Sequence, residues 1–338
     1  MMDRAQKRRK MALGVLKIGL SALFVVVILR FVRVADIANH FTSLDPWYTF
    51  LLFPISFVAI GVSCIKWRML LGERRHDVPL RSLFGLYLVG YFFSNFLPSM
   101  VGGDAVRGYL LGRRLESFKA SYLSVLIERL TGLFALIVMV GLLALSNHRV
   151  VQAGRMRVTL LLVAGGLISV LLVLGSRRLF KRGLALLPAR LARVRTKIDK
   201  AHHALLSFRQ ERNHFVGVML LSLSFHILTG INVYCACRAL NCPVSLLDLI
   251  LVTPLIILVS LLPLSMNGIG LWEGSFVVIL GLVGVPQSIA VSAALLLRCK
   301  TLIVSALGWG VYFNYRHQPG GATMGHDIAS LRGVDEQD

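Results

Sequence analysis

The chain has 338 residues, 56% of them hydrophobic and only 16% charged, with a mean hydropathy of +0.73. A soluble domain carries about 25% charged residues, so a water-soluble globule is excluded and several membrane spans are expected. The 37 Lys and Arg outnumber the 16 Asp and Glu to give a net charge of +21. That excess falls in short clusters between long apolar runs, the pattern of cytoplasmic loops and not of a nucleic-acid-binding face.

Residues 1–10, MMDRAQKRRK, form a basic N-terminus that positive-inside counting places in the cytoplasm. The apolar run 11–32 is long enough to span, so it reads as a retained first helix and not as a cleaved signal. Further full spans are expected at 47–65, 118–145, 157–175, 214–238 and 287–313. The loop 33–46, with Arg33, Asp36 and Asp45, suits the outside, and Lys66, Arg68, Arg74, Arg75 and Arg81 bring the chain back inside. Two more apolar regions, 80–112 and 245–285, are interrupted by Pro and Gly. Ordinary kinked helices would make them full spans. Arg113, Arg114 and Lys119 instead favour the cytoplasm after the first, which then enters and leaves on one side. The second must enter from the opposite face if it too is a hairpin, and 287–313 ends inside at Arg316.

The predicted architecture is therefore all-α: a polytopic membrane bundle with about six full spans and two re-entrant broken-helix hairpins of inverted-repeat character. One transmembrane domain covers 11–315, and a flexible cytoplasmic tail covers 316–338. The breaks resemble each other: Leu97-Pro98-Ser99-Met100 precedes Gly102, Gly103 and Asp104, while Leu262-Pro263-Leu264-Ser265-Met266 precedes Gly268, Gly270 and Glu273. Paired Gly/Pro-interrupted segments in corresponding halves are the best sequence pointer to a transporter site.

Seven charges fall at predicted hydrocarbon depth, where each is expensive: Asp104, Arg107, Glu128, Arg129, Glu273, Arg298 and Lys300. Ser121, Ser124, Glu128 and Gly132 share one helix face, as do Arg298, Thr301, Ser305 and Gly308, so both stripes are expected to face a polar interior. Asp104 and Arg107 lie one turn apart and can pair locally. The half-helix N-termini after each break favour an anion. With Arg129 and Arg298 nearby, a phosphate-bearing headgroup is the guest these charges suit, while structural ion pairs are the competing reading. Lys300 is read as close enough to a helix end to snorkel, and His226 as a satisfied buried imidazole.

The basic cytoplasmic segment 177–213 carries eleven Lys or Arg. Within it, apolar residues from Phe180 to Phe208 step by four and three alternately. A helix over 188–210 lying on anionic lipid headgroups is expected there, with packing on the bundle or on a second copy of the chain as the alternative. The five cysteines (Cys64, Cys235, Cys237, Cys242 and Cys299) read as small packing residues and not as metal ligands. No metal or other cofactor is expected.

NFLPSMVGGDAVRGYLLGRR, LIERLTG and LPLSMNGIGLWEG together resemble the transmembrane region of the lysylphosphatidylglycerol synthase family, also called the flippase-like family. The similarity covers roughly residues 12–315. It implies a bundle with two re-entrant elements that moves lipids between leaflets, and a bacterial inner-membrane location. Synthase members carry a large soluble C-terminal domain that transfers an amino acid from tRNA. The short tail after Tyr315 cannot form one, so lysyl transfer is not expected and the chain is not read as an enzyme.

The function expected is translocation of a phospholipid or polyprenyl-linked lipid headgroup through a polar groove. Asp104, Arg107, Glu128, Arg129, Glu273 and Arg298 would line its path, and Asp104 and Glu273 would gate its two sides. The alternative is a non-transporting subunit that anchors or regulates a lipid- or glycan-modifying enzyme.

Overall fold

The computed structural model describes residues 33–72, 77–96, 102–146, 212–262 and 268–316, together with Ser265 and isolated positions at 19, 30 and between 151 and 180. Among the described residues the regular structure is helical throughout: α1 (Val34–Thr42), α2 (Pro46–Leu70), α3 (Leu80–Phe96), α4 (Gly102–Arg114), α5 (Phe118–Leu145), α6 (Arg212–Ala239), α7 (Leu246–Ser260), α8 (Leu271–Gly281) and α9 (Gln287–Arg316). Four stretches are long and apolar enough to cross a membrane: Pro46–Leu70, Phe118–Leu145, Phe215–Ala239 and Gln287–Phe313. They coincide with four of the predicted spans. The spans predicted at 11–32 and 157–175 lie outside the described residues apart from isolated positions, as do Pro98, Pro263, the 188–210 helix and the tail beyond Arg316.

One boundary differs from expectation. Lys66 reads as a loop residue in the sequence, but α2 continues to Leu70 and buries Lys66 to 6% exposure. The cation has a partner inside the bundle, so the apolar run does not end at the charge.

Local chemistry sets the helix starts. Asp45 caps α2, its carboxylate accepting from the Trp47 and Tyr48 amides at 2.8 and 3.2 Å, with Pro46 at the first helical position where a missing N–H is harmless. Ser117 caps α5 and Ser245 caps α7 in the same way. Buried hydroxyls within the spans return their protons to carbonyls one turn back, as Ser56 does to Leu52 and Thr253 to Leu249. No water is available at that depth to do so.

The buried apolar residues separate into two main cores at opposite ends of the bundle. One joins Leu52, Leu143, Cys235, Cys237, Cys242, Leu249, Leu280 and Ala290. The other joins Cys64, Trp67, Leu83, Leu86, Val106, Leu111 and Val304. The first end gathers the start of α2 and the end of α6: the Asp45 amide donates to the Ala239 carbonyl at 2.8 Å, and Asn241 donates to Ser43 O at 2.7 Å. The pair α7–α8 belongs to that end, and α3–α4 to the other. The start of α3 and the end of α4 meet where Arg114 donates to Ser82 at 2.7 Å. At 1.5 Å per residue, the 13 residues of α4 and 11 of α8 reach only about 20 and 16 Å, short of a hydrocarbon core of about 30 Å.

Two close approaches join α4 and α9 to α3. Gly103 lies against Gly90, where an added Cβ would overlap the Gly90 carbonyl oxygen and the Ser94 hydroxyl. Gly308 of α9 lies against the Leu88 carbonyl of α3, where a Cβ would come within 2.5 Å of the carbonyl carbon. Gly102 and Gly103 therefore begin α4, and Gly103 serves as a packing position instead of lying within the break. Gly268 and Gly270 do sit in a break, with φ of +72° and +81°. Large apolar side chains such as Phe50, Leu142, Leu220 and Val278 point outward, the face a lipid-embedded bundle presents.

Candidate functional site

Asp104 is the third residue of α4, and Arg107 follows one turn later on the same face. Their expected pairing is present: Arg107 Nε and its terminal nitrogen lie 3.0 and 2.9 Å from Asp104 Oδ1. The same terminal nitrogen reaches Glu128 Oε2 on α5 at 3.0 Å, and Arg129 Nε reaches Asp104 Oδ2 at 2.6 Å. Four charges predicted from sequence thus form one chain, Glu128–Arg107–Asp104–Arg129. Tyr87 donates to the free oxygen of Glu128, and Lys66 donates to the Glu128 carbonyl at 3.3 Å.

The two arginines have different environments. The Arg107 side chain is 4% exposed and lies against two rings that meet edge to face, 4.7 Å from the Trp67 centroid and 4.3 Å from that of Tyr87. Trp67 is held in place by its indole N–H, which donates to Ser124 at 2.9 Å. The Arg129 side chain is 57% exposed. Arg107 is a buried strut, whereas Arg129 keeps most of its donors open.

They open onto a cavity of about 480 Å³ lined by residues from every helix from α2 to α9, among them Lys66, Tyr91, Glu128, Arg129, His226 and Trp272. Its wall holds three cations, Lys66, Arg107 and Arg129, against two carboxylates, Asp104 and Glu128. One positive charge is left over. His226 donates to the Gly132 carbonyl through Nε2 at 3.0 Å, and its Nδ1 has no protein partner. Among the described residues no group of three or more His, Cys, Asp or Glu is spaced to hold a metal ion.

Glu273 and Arg298 are not part of this chain of charges. They form a second pair, Arg298 Nε to Glu273 Oε1 at 2.9 Å. The other Glu273 oxygen accepts from the Gly270 amide at 2.7 Å. The N-terminus of α8, expected to be free for an anion, is therefore capped at that amide by the chain's own carboxylate. The two pairs are nonetheless equivalent. Asp104 and Glu273 are each the third residue of a short helix, Arg129 and Arg298 each lie on the next span, and 129 − 104 and 298 − 273 are both 25.

Lys300 departs from expectation. It lies mid-helix in α9 and does not snorkel to an end. Its ammonium donates to Ser56 at 2.9 Å and to Asn232 Oδ1 at 3.3 Å. Tyr87, Trp67, Lys66, Ser56 and Asn232 all escaped sequence reasoning. The equal spacing of the two acid–arginine pairs was legible and would have shown which residues correspond. The Trp67–Tyr87 pair against Arg107 had no such signal, because its rings are ordinary components of apolar runs.

These features define a polytopic helical membrane protein built around a charged internal cavity. The chain belongs to the family described as the lysylphosphatidylglycerol synthase TM region, which it matches over residues 14–308. It is 24% identical over 314 residues to a UPF0104 membrane protein of Methanothermobacter thermautotrophicus, covering 86% of this chain and 91% of that one. A second UPF0104 membrane protein of the same organism is 23% identical over 328 residues, 89% and 92% of the two chains. One from Methanocaldococcus jannaschii is 27% identical over 112 residues, 32% and 33% of the two.

Proposed function

We propose that the protein moves a phosphate-bearing lipid headgroup between membrane leaflets through the internal cavity while the acyl or prenyl tails stay in the bilayer. The observation that carries this reading is the excess positive charge of the cavity wall, which Arg129 lines with a side chain that is 57% exposed. A buried cation at membrane depth is normally neutralised, and one left open to a cavity marks an anion path. The volume falls within the usual range of ligand sites, about 300–1,000 Å³. Arg129 holds the phosphate, while Asp104 and Glu273 act as counter-charges on the two sides.

On this reading α3–α4 and α7–α8 are the two re-entrant hairpins, entered from opposite faces. Their shortness, their assignment to opposite cores and the Arg114–Ser82 contact support it. Both termini then lie in the cytoplasm, the membrane is a bacterial inner membrane, and the basic 188–210 helix rests on anionic lipid.

The test uses purified protein in liposomes with fluorescent phosphatidylglycerol and phosphatidylethanolamine analogues bleached from outside. The native chain should expose inner-leaflet lipid to the quencher, and Arg129→Ala should not. Equal movement by both proteins would overturn the headgroup role of Arg129. No movement by either, with an obligate enzyme co-purifying, would favour the anchoring-subunit reading.

A further inference from the structure

The described ion pairs leave two intramembrane cations, Lys66 and Lys300, without a carboxylate contact, and Lys66 donates to the Glu128 carbonyl. Lys300 has only the neutral oxygens of Ser56 and Asn232 within reach, at 2.9 and 3.3 Å. The Asn232 amide donates in turn to Ser56 Oγ at 3.2 Å, and Ser56 donates to the Leu52 carbonyl at 2.7 Å. The Asn232 carbonyl is therefore turned toward the ammonium by a fixed network. An ammonium carries three protons, so a donor remains beyond these two oxygens. Ser56, Asn232 and Lys300 line a chamber of about 200 Å³. It shares Tyr91, Phe225, Trp272 and Thr301 with the larger cavity, so the two spaces adjoin across those four side chains.

We propose that Lys300, held by Ser56 and Asn232, is a second anion subsite that takes a phosphate group handed on from Arg129. The chamber has room for a phosphate with its hydration, given about 30 Å³ for each water. Moving a phosphate from the Arg129 cavity to this chamber exchanges one cation for another without leaving the anion unpaired in a low-dielectric interior. The subsite deepens the headgroup reading and rests on it for its biological use, but its ability to bind phosphate is testable apart from transport.

The experiment measures binding to the full chain in neutral detergent. Inorganic phosphate, short-chain phosphatidylglycerol and the phosphate-free short-chain diacylglycerol are compared. Lys300→Met should weaken the phosphate-bearing probes about tenfold or more and leave diacylglycerol unchanged, while Lys300→Arg restores them. Because Lys300→Met could also disturb folding, Asn232→Asp serves as the second variant. It places a carboxylate beside the ammonium, so binding should fall while thermal stability holds or rises, a combination that a merely structural lysine would not give. Native-like phosphate binding by a folded Lys300→Met or Asn232→Asp protein would overturn the subsite. Binding of inorganic phosphate but not of the short-chain lipid identifies a free anion as the occupant and keeps the subsite. Lys300-dependent binding of phosphate without lipid movement by the native protein in liposomes keeps the subsite and overturns the headgroup reading.

Discussion

Replacing Arg107 should strongly destabilise the protein, and replacing Arg129, its neighbour in the same chain of charges, should not. The Arg107 guanidinium meets Asp104 at 2.9 Å and Glu128 at 3.0 Å, is 4% exposed and rests against two aromatic rings. Arg107→Met leaves Glu128 buried with Tyr87 as its side-chain partner and removes both ring contacts. Breaking a buried pair by deleting one member is worth about 3–5 kcal/mol, and each cation–π contact adds about 0.5–2 kcal/mol. Against a typical total of about 5–15 kcal/mol, that is a third or more of the stability of a fold. Arg129 is 57% exposed, and its carboxylate partner keeps Arg107, so Arg129→Ala should cost no more than about 1 kcal/mol. Thermal melting in detergent, followed by tryptophan fluorescence and size-exclusion profile, measures both. Adding Glu128→Gln to Arg107→Met should recover part of the loss, since the stranded carboxylate is then neutral, while Asp104 keeps Arg129. If Arg107→Met melts with the native protein, or Arg129→Ala falls as far as Arg107→Met, the division into strut and ligand is wrong.

Three further outcomes follow from the packing. Gly308→Val should separate α9 from α3, because the new Cβ would lie 2.5 Å from the Leu88 carbonyl carbon; overpacking of this kind costs about 1–3 kcal/mol, read as a lower melting temperature. Glu273→Ala removes both the cap on Gly270 and the Arg298 partner, whereas Glu273→Gln keeps an acceptor for the amide, so Ala should lower the melting temperature more, by about 1 kcal/mol equivalent. Single cysteines at Glu116 and Asn241 in an otherwise cysteine-free chain should react with an impermeant maleimide from opposite sides of the membrane. Labelling of both from one side would refute the topology in which the hairpins enter from opposite faces.

Much of this fold is visible in the chain because membrane burial writes itself in long apolar runs: three predicted spans match helical stretches to within a residue, and the fourth stops five residues short of Leu70. Helix-face arithmetic placed Glu128 and Arg298 toward the interior, and one-turn spacing foretold the Asp104–Arg107 pair. Cross-helix partners were not visible. Lys66 reads as a loop cation until Glu128 is found beside it, Lys300 reads as a snorkelling cation until Ser56 and Asn232 are, and no periodicity announces that Trp67 and Tyr87 pack against Arg107. Such contacts join residues 57 or 244 positions apart, as with Trp67 to Ser124 and Ser56 to Lys300. Only the folded bundle brings them together.

The seat of Gly308 on the Leu88 carbonyl bears on how the chain is made. The two residues are 308 − 88 = 220 positions apart, so at about 5–20 residues per second α3 waits roughly 10–45 s for its partner to be synthesised. Throughout that interval α3, packed on α4 with its charges Asp104 and Arg107, stands with its α9-facing side uncovered. The insertion machinery has to shelter it, and a ribosome stalled before the last helix would release a chain whose charged strut is complete but whose wall is missing.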